Sequence, residues 1–306
     1  MLFYFRPLSN VPEVQLLIFV AFLLLYLLSL CGNASVMLVV HLDRSLHTPM
    51  YFFLANLAAM EFCYSCAIAP LTLASVLSGI KVTISLADCG TQMFLFIFLS
   101  SADCLLLAVM AYDRYVAICH PLRYTLIMSW PISVSFVSGS LVLGFLCALQ
   151  IAILTFRMPF CGTGEINHFF CDIPTVLQLA CSDAHVQQAV LFTVSVAELT
   201  IPFLLICISY TFIVVAILRI NCSSGRHRAF STCSSHLMVV FLQYGCGGFI
   251  YLRPSFHHKP TYSQAVSVVY TFVTPVLNPL IYSMRNKELK DALSRLPRGK
   301  MLTQKN

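Results

Sequence analysis

Seven stretches of this chain are long and apolar enough to cross a bilayer: about 15–40, 50–77, 87–118, 131–154, 186–219, 229–252 and 262–284. A helix covers the hydrocarbon core with about 20 residues, so each stretch suffices. The run LLIFVAFLLLYLLSL, Leu16 to Leu30, is apolar on every face, whereas a transmembrane barrel strand alternates apolar and polar positions over about 10 residues. Seven helices consume roughly 140–175 residues, which leaves connections rather than a second domain in a chain of 306. The expectation is an all-α membrane protein, one seven-helix bundle over residues 1–306. Composition agrees: 59% of residues are apolar and 10% charged, against about 25% charged in a soluble domain.

The net charge of +6 does not point to nucleic acid, because that reading needs a clustered basic face on a soluble fold. Here the basic residues flank the apolar runs. An odd number of spans puts the termini on opposite sides, and the 18 Lys and Arg then divide thirteen to five. Arg44, Arg114, Arg123, Arg219, Arg226, Arg228 and the tail group from Arg285 to Lys305 share one face; Arg6, Lys81, Arg157, Arg253 and Lys259 share the other. The positive-inside rule sets the N-terminus outside and the C-terminus inside. Residues 1–14 are then extracellular, 155–185 form a long second extracellular loop, and 285–306 are a cytoplasmic tail. The first run is too long for a removed signal peptide and has no basic n-region beyond Arg6, so it reads as a retained signal anchor.

Of fourteen cysteines, Cys31, Cys63, Cys66, Cys104, Cys119, Cys147, Cys207, Cys222, Cys233 and Cys246 lie in or beside spans or on the cytoplasmic side. These are expected as free thiols. Cys89, Cys161, Cys171 and Cys181 fall on the outer side, an even set that favours two bridges with three possible connectivities.

Ionisable side chains at membrane depth are costly and mark functional sites. Asp113 and Arg114 end the third span, as a helix-end pair or as a latch that pairs internally or with the sixth helix. Stepping back from Arg114 by three or four gives Leu107, Asp103, Ser100, Phe96 and Met93 on one stripe. Glu61 in the second span and Asn278 in the seventh lie at comparable depth. With Asp103 they supply oxygen ligands suited to sodium or another hard cation, or a protonated carboxyl pair. Pro202, Pro275 and Pro279 interrupt the fifth and seventh spans, as static kinks or as hinges.

Six motifs, taken together, carry a resemblance. They are Gly32-Asn33, LHTPMYFFLANLA (Leu46 to Ala58), MAYDRYVAICHPLRY (Met110 to Tyr124), Ser209-Tyr210, RAFSTCSSHL (Arg228 to Leu237) and PVLNPLIYSMRNKEL (Pro275 to Leu289). In their order and spacing the chain resembles a rhodopsin-like G-protein-coupled receptor of the olfactory (odorant) receptor family. The resemblance implies a plasma-membrane receptor of olfactory sensory neuron cilia, not an enzyme and without a cofactor. It implies partners as well: a small odorant, a heterotrimeric stimulatory olfactory G protein that raises cyclic AMP, arrestin and a receptor kinase. By the same resemblance Asp113, Arg114, Tyr115, Tyr210, Asn278, Pro279 and Tyr282 serve G-protein coupling and activation, and the bridges are Cys89–Cys171 and Cys161–Cys181. The implied pocket comprises Met93, Phe96, Ile97, Ser100 and Ser101 on the third helix, Val194, Ser195 and Glu198 on the fifth, Tyr244, Gly248 and Tyr251 on the sixth, and Thr271 on the seventh. Tyr244 resembles the toggle at the pocket base, although the usual aromatic before it is Gln243 here.

Four departures stand out. Glu61 and Asp103 exchange the family's usual Asp and Glu. The sequons Asn33-Ala-Ser35 and Asn221-Cys-Ser223 fall in a span and on the cytoplasmic side, where no lumenal glycan attaches. No cysteine follows the seventh span, so the short amphipathic helix at about 286–295 meets anionic lipid through Lys and Arg rather than a palmitoyl chain. Glu198 replaces a usually apolar pocket residue, either as partner of an amine or donor-bearing ligand, or protonated and bonded to Ser101 or a backbone carbonyl. Two histidine features are weaker: His168 precedes Cys171, which a disulfide claims, and His168, His257 and His258 read as solvated outer-loop residues rather than metal ligands. A transporter would show an internal repeat with broken helices, and a membrane enzyme a nucleophile or metal set; the chain shows neither pattern.

Overall fold

The computed structural model describes residues 2–6, 8–9, 11–78, 82–161, 164–181, 185–219, 223–252 and 260–295. Lys81, Asn221, Cys222, Arg253, His257, His258, Lys259 and the tail beyond Arg295 lie outside the described residues. The backbone needs of a membrane interior explain what the rest does: with no water to bond, each span must satisfy its own amides as helix. The spans are α1 (Pro12–Leu42), α2 (Pro49–Ser78), α3 (Leu86–Cys119), α4 (Trp130–Phe156), α5 (His185–Leu218), α6 (Ser223–Tyr251) and α7 (260–285). All seven are long and apolar enough to cross a bilayer, and α8 (Lys287–Arg295) follows as the short amphipathic helix.

Local chemistry sets the ends. Pro12 occupies the first turn of α1, where its missing N–H costs nothing. Ser85 caps α3, its hydroxyl oxygen accepting from the Asp88 N–H at 3.1 Å. Asp43 closes α1 and turns the chain, its carboxylate accepting from the Ser45 N–H at 3.0 Å. α6 begins at Ser223, well before its apolar run at about 229, so its first turns are polar helix.

α3 is the central helix, packed against α2, α4, α5 and α6. Gly144 on α4 permits the closest approach: a Cβ there would lie 2.9 Å from the Phe98 carbonyl oxygen and 3.0 Å from the Ala102 nitrogen. Large apolar side chains such as Leu17, Leu24, Val142, Leu204 and Phe241 face outward, as a lipid-facing surface requires.

The Gly32-Asn33 motif has a physical role. Pro279 has no N–H to donate to the carbonyl of Pro275 four residues earlier; the Asn33 Nδ2 supplies the bond instead, at 3.0 Å. Gly32 lets α1 come that close, since a Cβ there would sit 3.0 Å from the Pro279 ring. α7 also contains a π-helical turn at Val269–Val273, which shifts the facing of every residue after it.

A small sheet at the disulfide-bearing end was not legible in the sequence. β1 (Leu2–Phe5) runs antiparallel to β2 (Thr83–Ser85) and parallel to β3 (Glu165–Ile166). Phe3 and Phe5 point inward and are buried. Gly164 adopts φ +73°, and a Cβ there would lie 2.6 Å from the Leu2 carbonyl. Beneath the sheet, Cys89–Cys171 ties α3 to the loop and Cys161–Cys181 closes the loop on itself, with Cα separations of 5.5 and 5.2 Å.

Candidate functional sites

Between α3, α5, α6 and α7, below the loop that carries Cys171, lies a cavity. The space open to the centre of a water-sized sphere is about 70 Å³, within about 650 Å³ of atom-free space that includes its mouth. One water needs roughly 10–15 Å³ on the first measure, so the cavity takes a small molecule. Its α3 wall is Phe96, Ile97, Ser100, Ser101 and Cys104; α5 supplies Ser195, Glu198 and Leu199; α6 supplies Gln243, Gly247 and Tyr251. Tyr64, Ile151, Ile173 and Tyr270 complete it.

Seven of the expected pocket residues therefore meet there: Phe96, Ile97, Ser100, Ser101, Ser195, Glu198 and Tyr251. Five lie off the wall. Tyr244 turns toward α3 and donates to the Cys104 carbonyl at 2.8 Å, so Gln243 and Gly247, one residue earlier, face the cavity in place of Tyr244 and Gly248. Thr271 donates to the Ser267 carbonyl at 2.6 Å, and the π turn presents Tyr270 instead. Met93 is fully buried, and Val194 lines a shallow depression with Val186, Ala189, Val190 and Thr193.

Four of the cavity's hydroxyls are committed elsewhere. Ser101 and Ser100 donate to the Ile97 carbonyl at 2.6 and 3.2 Å. Tyr251 and Tyr270 donate to Asp172 at 2.6 and 3.5 Å. Ser101 thus does not hold Glu198, as one alternative required; Glu198 Oε1 is buried with no partner.

Asp172 and His168 form the floor of the outer loop. Burial pushes the Asp172 carboxyl up to about 6, against donation from Tyr251, the Ile173 N–H and Tyr270. His168 is buried rather than solvated, correcting the expectation for outer-loop histidines. Its Nε2 is 3.1 Å from the Ser267 hydroxyl, and its ring stacks on Phe169 at 4.5 Å. Burial holds the imidazole down to about 3. Among the described residues no three His, Cys, Asp or Glu side chains gather as a metal site.

Deeper in the bundle, Glu61, Asp103 and Asn278 are all buried. The Asn278 amide N–H donates to Glu61 Oε1, while Asn278 Oδ1 and Asp103 Oδ1 have no partner. At the far end the latch differs from either arrangement expected for Asp113 and Arg114. Asp113 accepts from the Tyr124 hydroxyl at 2.8 Å, and Arg114 Nε has no partner. α6, which has no Asp or Glu, is held by His236 instead. Its Nε2 meets the Leu107 carbonyl at 3.0 Å and its Nδ1 meets the Tyr210 hydroxyl at 2.9 Å. One tautomer satisfies both, with Nε2–H donating and Nδ1 accepting. Sequence reasoning missed His236, although a histidine at membrane depth is itself the signal. Tyr115 pairs with His120 at 3.1 Å, and the Tyr282 hydroxyl, buried nearby, has no partner.

Seven membrane-length helices, a buried polar core and a walled cavity under a disulfide-tied loop define a multi-pass membrane protein of the seven-helix receptor class. The profile of a family described as olfactory receptor matches residues 22–303. Olfactory receptor 10V1 of Homo sapiens is 60% identical over 293 residues, 96% of this chain and 95% of that protein. Olfactory receptor 10Q1 of Homo sapiens is 56% identical over 95% of this chain and 91% of that protein. Olfactory receptor 10J5 of Mus musculus is 46% identical over 96% and 94%. The chain belongs to the olfactory receptor family of rhodopsin-like G-protein-coupled receptors, which are signalling receptors and not enzymes.

Proposed function

We propose that the protein is an odorant receptor that binds small volatile ligands in the cavity between α3, α5, α6 and α7 and activates a stimulatory olfactory-type G protein to raise cyclic AMP. The observation that carries this reading is the cavity itself, apolar on most sides with a few polar groups, as small-ligand sites are. Residues 1–306 act as one receptor unit with the N-terminus and the disulfide-tied loop outside and the tail inside, so the cavity opens toward the outer half. Apolar burial supplies most of the affinity; at about 0.5–1 kcal/mol per heavy atom, a ten-atom ligand binds at micromolar to millimolar Kd.

Activation works at the other end. Releasing His236 from Leu107 and Tyr210 frees α6 to move, and Arg114, its Nε unbonded, receives the C-terminus of the G-protein α-subunit with Tyr210 and Tyr282 in support. Asn278 and Pro279 couple that movement to Glu61 and Asp103, which share a sodium ion or a proton. Arrestin and a receptor kinase engage the same inner face, Lys290 and Arg295 on α8 contact anionic lipid, and the working location is the ciliary membrane of olfactory sensory neurons. The test is cyclic AMP in cells with confirmed surface receptor, using wild type and Ile97→Trp. Filling the cavity must abolish every odorant response while surface level holds; responses that survive it contradict the reading.

A further inference from the structure

The cavity wall contains a carboxyl with one oxygen that no described residue partners. Glu198 lines the cavity and its Oε1 is sealed from solvent without a hydrogen bond. Four wall hydroxyls point elsewhere, those of Ser100 and Ser101 to the Ile97 carbonyl and those of Tyr251 and Tyr270 to Asp172; the Ser195 hydroxyl and the Gln243 amide, also on the wall, make no bond to Oε1. No Lys, Arg or His is among the described residues of the wall. A carboxylate in such a place is stable only if a cation or several donors meet it.

We propose that the missing partner is the ligand: Glu198 is the counter-ion of a small protonated amine, and the cavity selects primary amines with a compact hydrocarbon body. This rests on the reading of the cavity as the ligand site. An ammonium group carries three donors and no acceptor, which matches a carboxylate that lacks donors. Phe96, Ile97, Ile151 and Leu199 provide the apolar surface for the rest of the molecule. The volume open to water-sized spheres, about 70 Å³, is several times the roughly 10–15 Å³ that admits one water, so the occupant is a compact molecule.

The experiment compares n-hexylamine and cyclohexylamine with 1-hexanol and cyclohexanol, at about pH 7.4, where an aliphatic amine stays protonated. Cyclic AMP is read in cells with quantified surface receptor, for wild type, Glu198→Gln, Glu198→Asp and Ile97→Trp. Wild type must respond to the amines at lower concentration than to the alcohols. Glu198→Gln must raise the amine half-maximal concentration by at least about thirtyfold, as loss of a desolvated charge partner does, and shift the alcohols by less than about threefold. Glu198→Asp withdraws the charge by one methylene and must move the preferred chain from n-hexylamine to n-heptylamine. If Glu198→Gln does not reach the surface, this shift alone decides. Amine potency untouched by both Glu198 variants overturns the inference, as does a wild type that prefers the alcohols. If wild type is silent to all four compounds, or if after either of those outcomes Ile97→Trp abolishes the responses that remain, the inference falls and the cavity reading survives; if Ile97→Trp changes nothing, the cavity reading falls and the inference with it.

Discussion

Two glycines of α4 make opposite predictions for the same substitution. At Gly144 an added Cβ would stand 2.9 Å from the Phe98 carbonyl oxygen, 3.0 Å from the Ala102 nitrogen and 3.2 Å from the Ala102 Cβ. The two nearest atoms are backbone inside α3, which cannot rotate aside, so α3 and α4 must separate. Overpacking of this kind costs about 1–3 kcal/mol. At Gly139 no atom lies within 4 Å of the added Cβ, and Ala gains up to about 1 kcal/mol of helix propensity over Gly. Because both positions are interior to one helix, the propensity gain is common to both. The difference between Gly144→Ala and Gly139→Ala therefore isolates the contact at about 1–3 kcal/mol, or roughly 2–12 °C in midpoint at about 2–4 °C per kcal/mol. Thermal unfolding of purified receptor in one detergent, at one scan rate, measures it. Equal midpoints for the two variants would refute the close approach of α4 to α3.

Three further outcomes follow from the same structure. Tyr124→Phe removes the one side-chain donor to the buried Asp113 among the described residues; leaving that acceptor unmet costs about 1–3 kcal/mol, and ligand-free cyclic AMP per surface receptor should rise, an unchanged basal level counting against the latch. His236→Phe keeps the ring but loses its bonds to Leu107 and Tyr210, so the same basal assay should show a larger increase than Tyr124→Phe. Burial holds His168 down to about 3, against about 6.5 in an unfolded chain, so its contribution is full above about pH 6.5 and is lost as pH falls toward 3. Asp172, pushed up to about 6, acts in the opposite direction between about pH 4 and 6, but it is common to wild type and His168→Gln. From pH 6.5 to 5 wild type should lose about 2 kcal/mol relative to His168→Gln; parallel midpoint curves would show that His168 titrates normally.

The spans were legible because hydropathy over about 20 residues follows directly from the bilayer's thickness. The α8 helix was expected too, through the family resemblance rather than from hydropathy. The three-stranded sheet was not: β1, β2 and β3 have four, three and two residues, too short for a period to register, and their pairing depends on the loop that the Cys89–Cys171 bridge holds in place. The cavity's α3 and α5 walls came through largely intact, since both helices keep a regular turn from Phe96 to Cys104 and from Ser195 to Leu199. On α6 and α7 the expected facing was off by one residue. Tyr244 turns its hydroxyl to a backbone carbonyl of α3, and the π turn at Val269–Val273 rotates Thr271 away in favour of Tyr270; neither a long-range hydrogen bond nor an extra residue per turn is written in hydropathy. The hydrogen-bond partner of Asp113 was not legible for a similar reason: it is Tyr124, beyond the end of the helix, and α6 reaches α3 through a histidine.

The central claim is that ligands act from the cavity between α3, α5, α6 and α7. The most direct test is an experimental structure of the receptor bound to an agonist and its G protein. Ligand density enclosed by Phe96, Ile97, Glu198 and Tyr251, with His236 parted from the Leu107 carbonyl, is the predicted result. Density on the lipid-facing surface, with the cavity filled only by water and His236 still bonded to Leu107, would contradict the account.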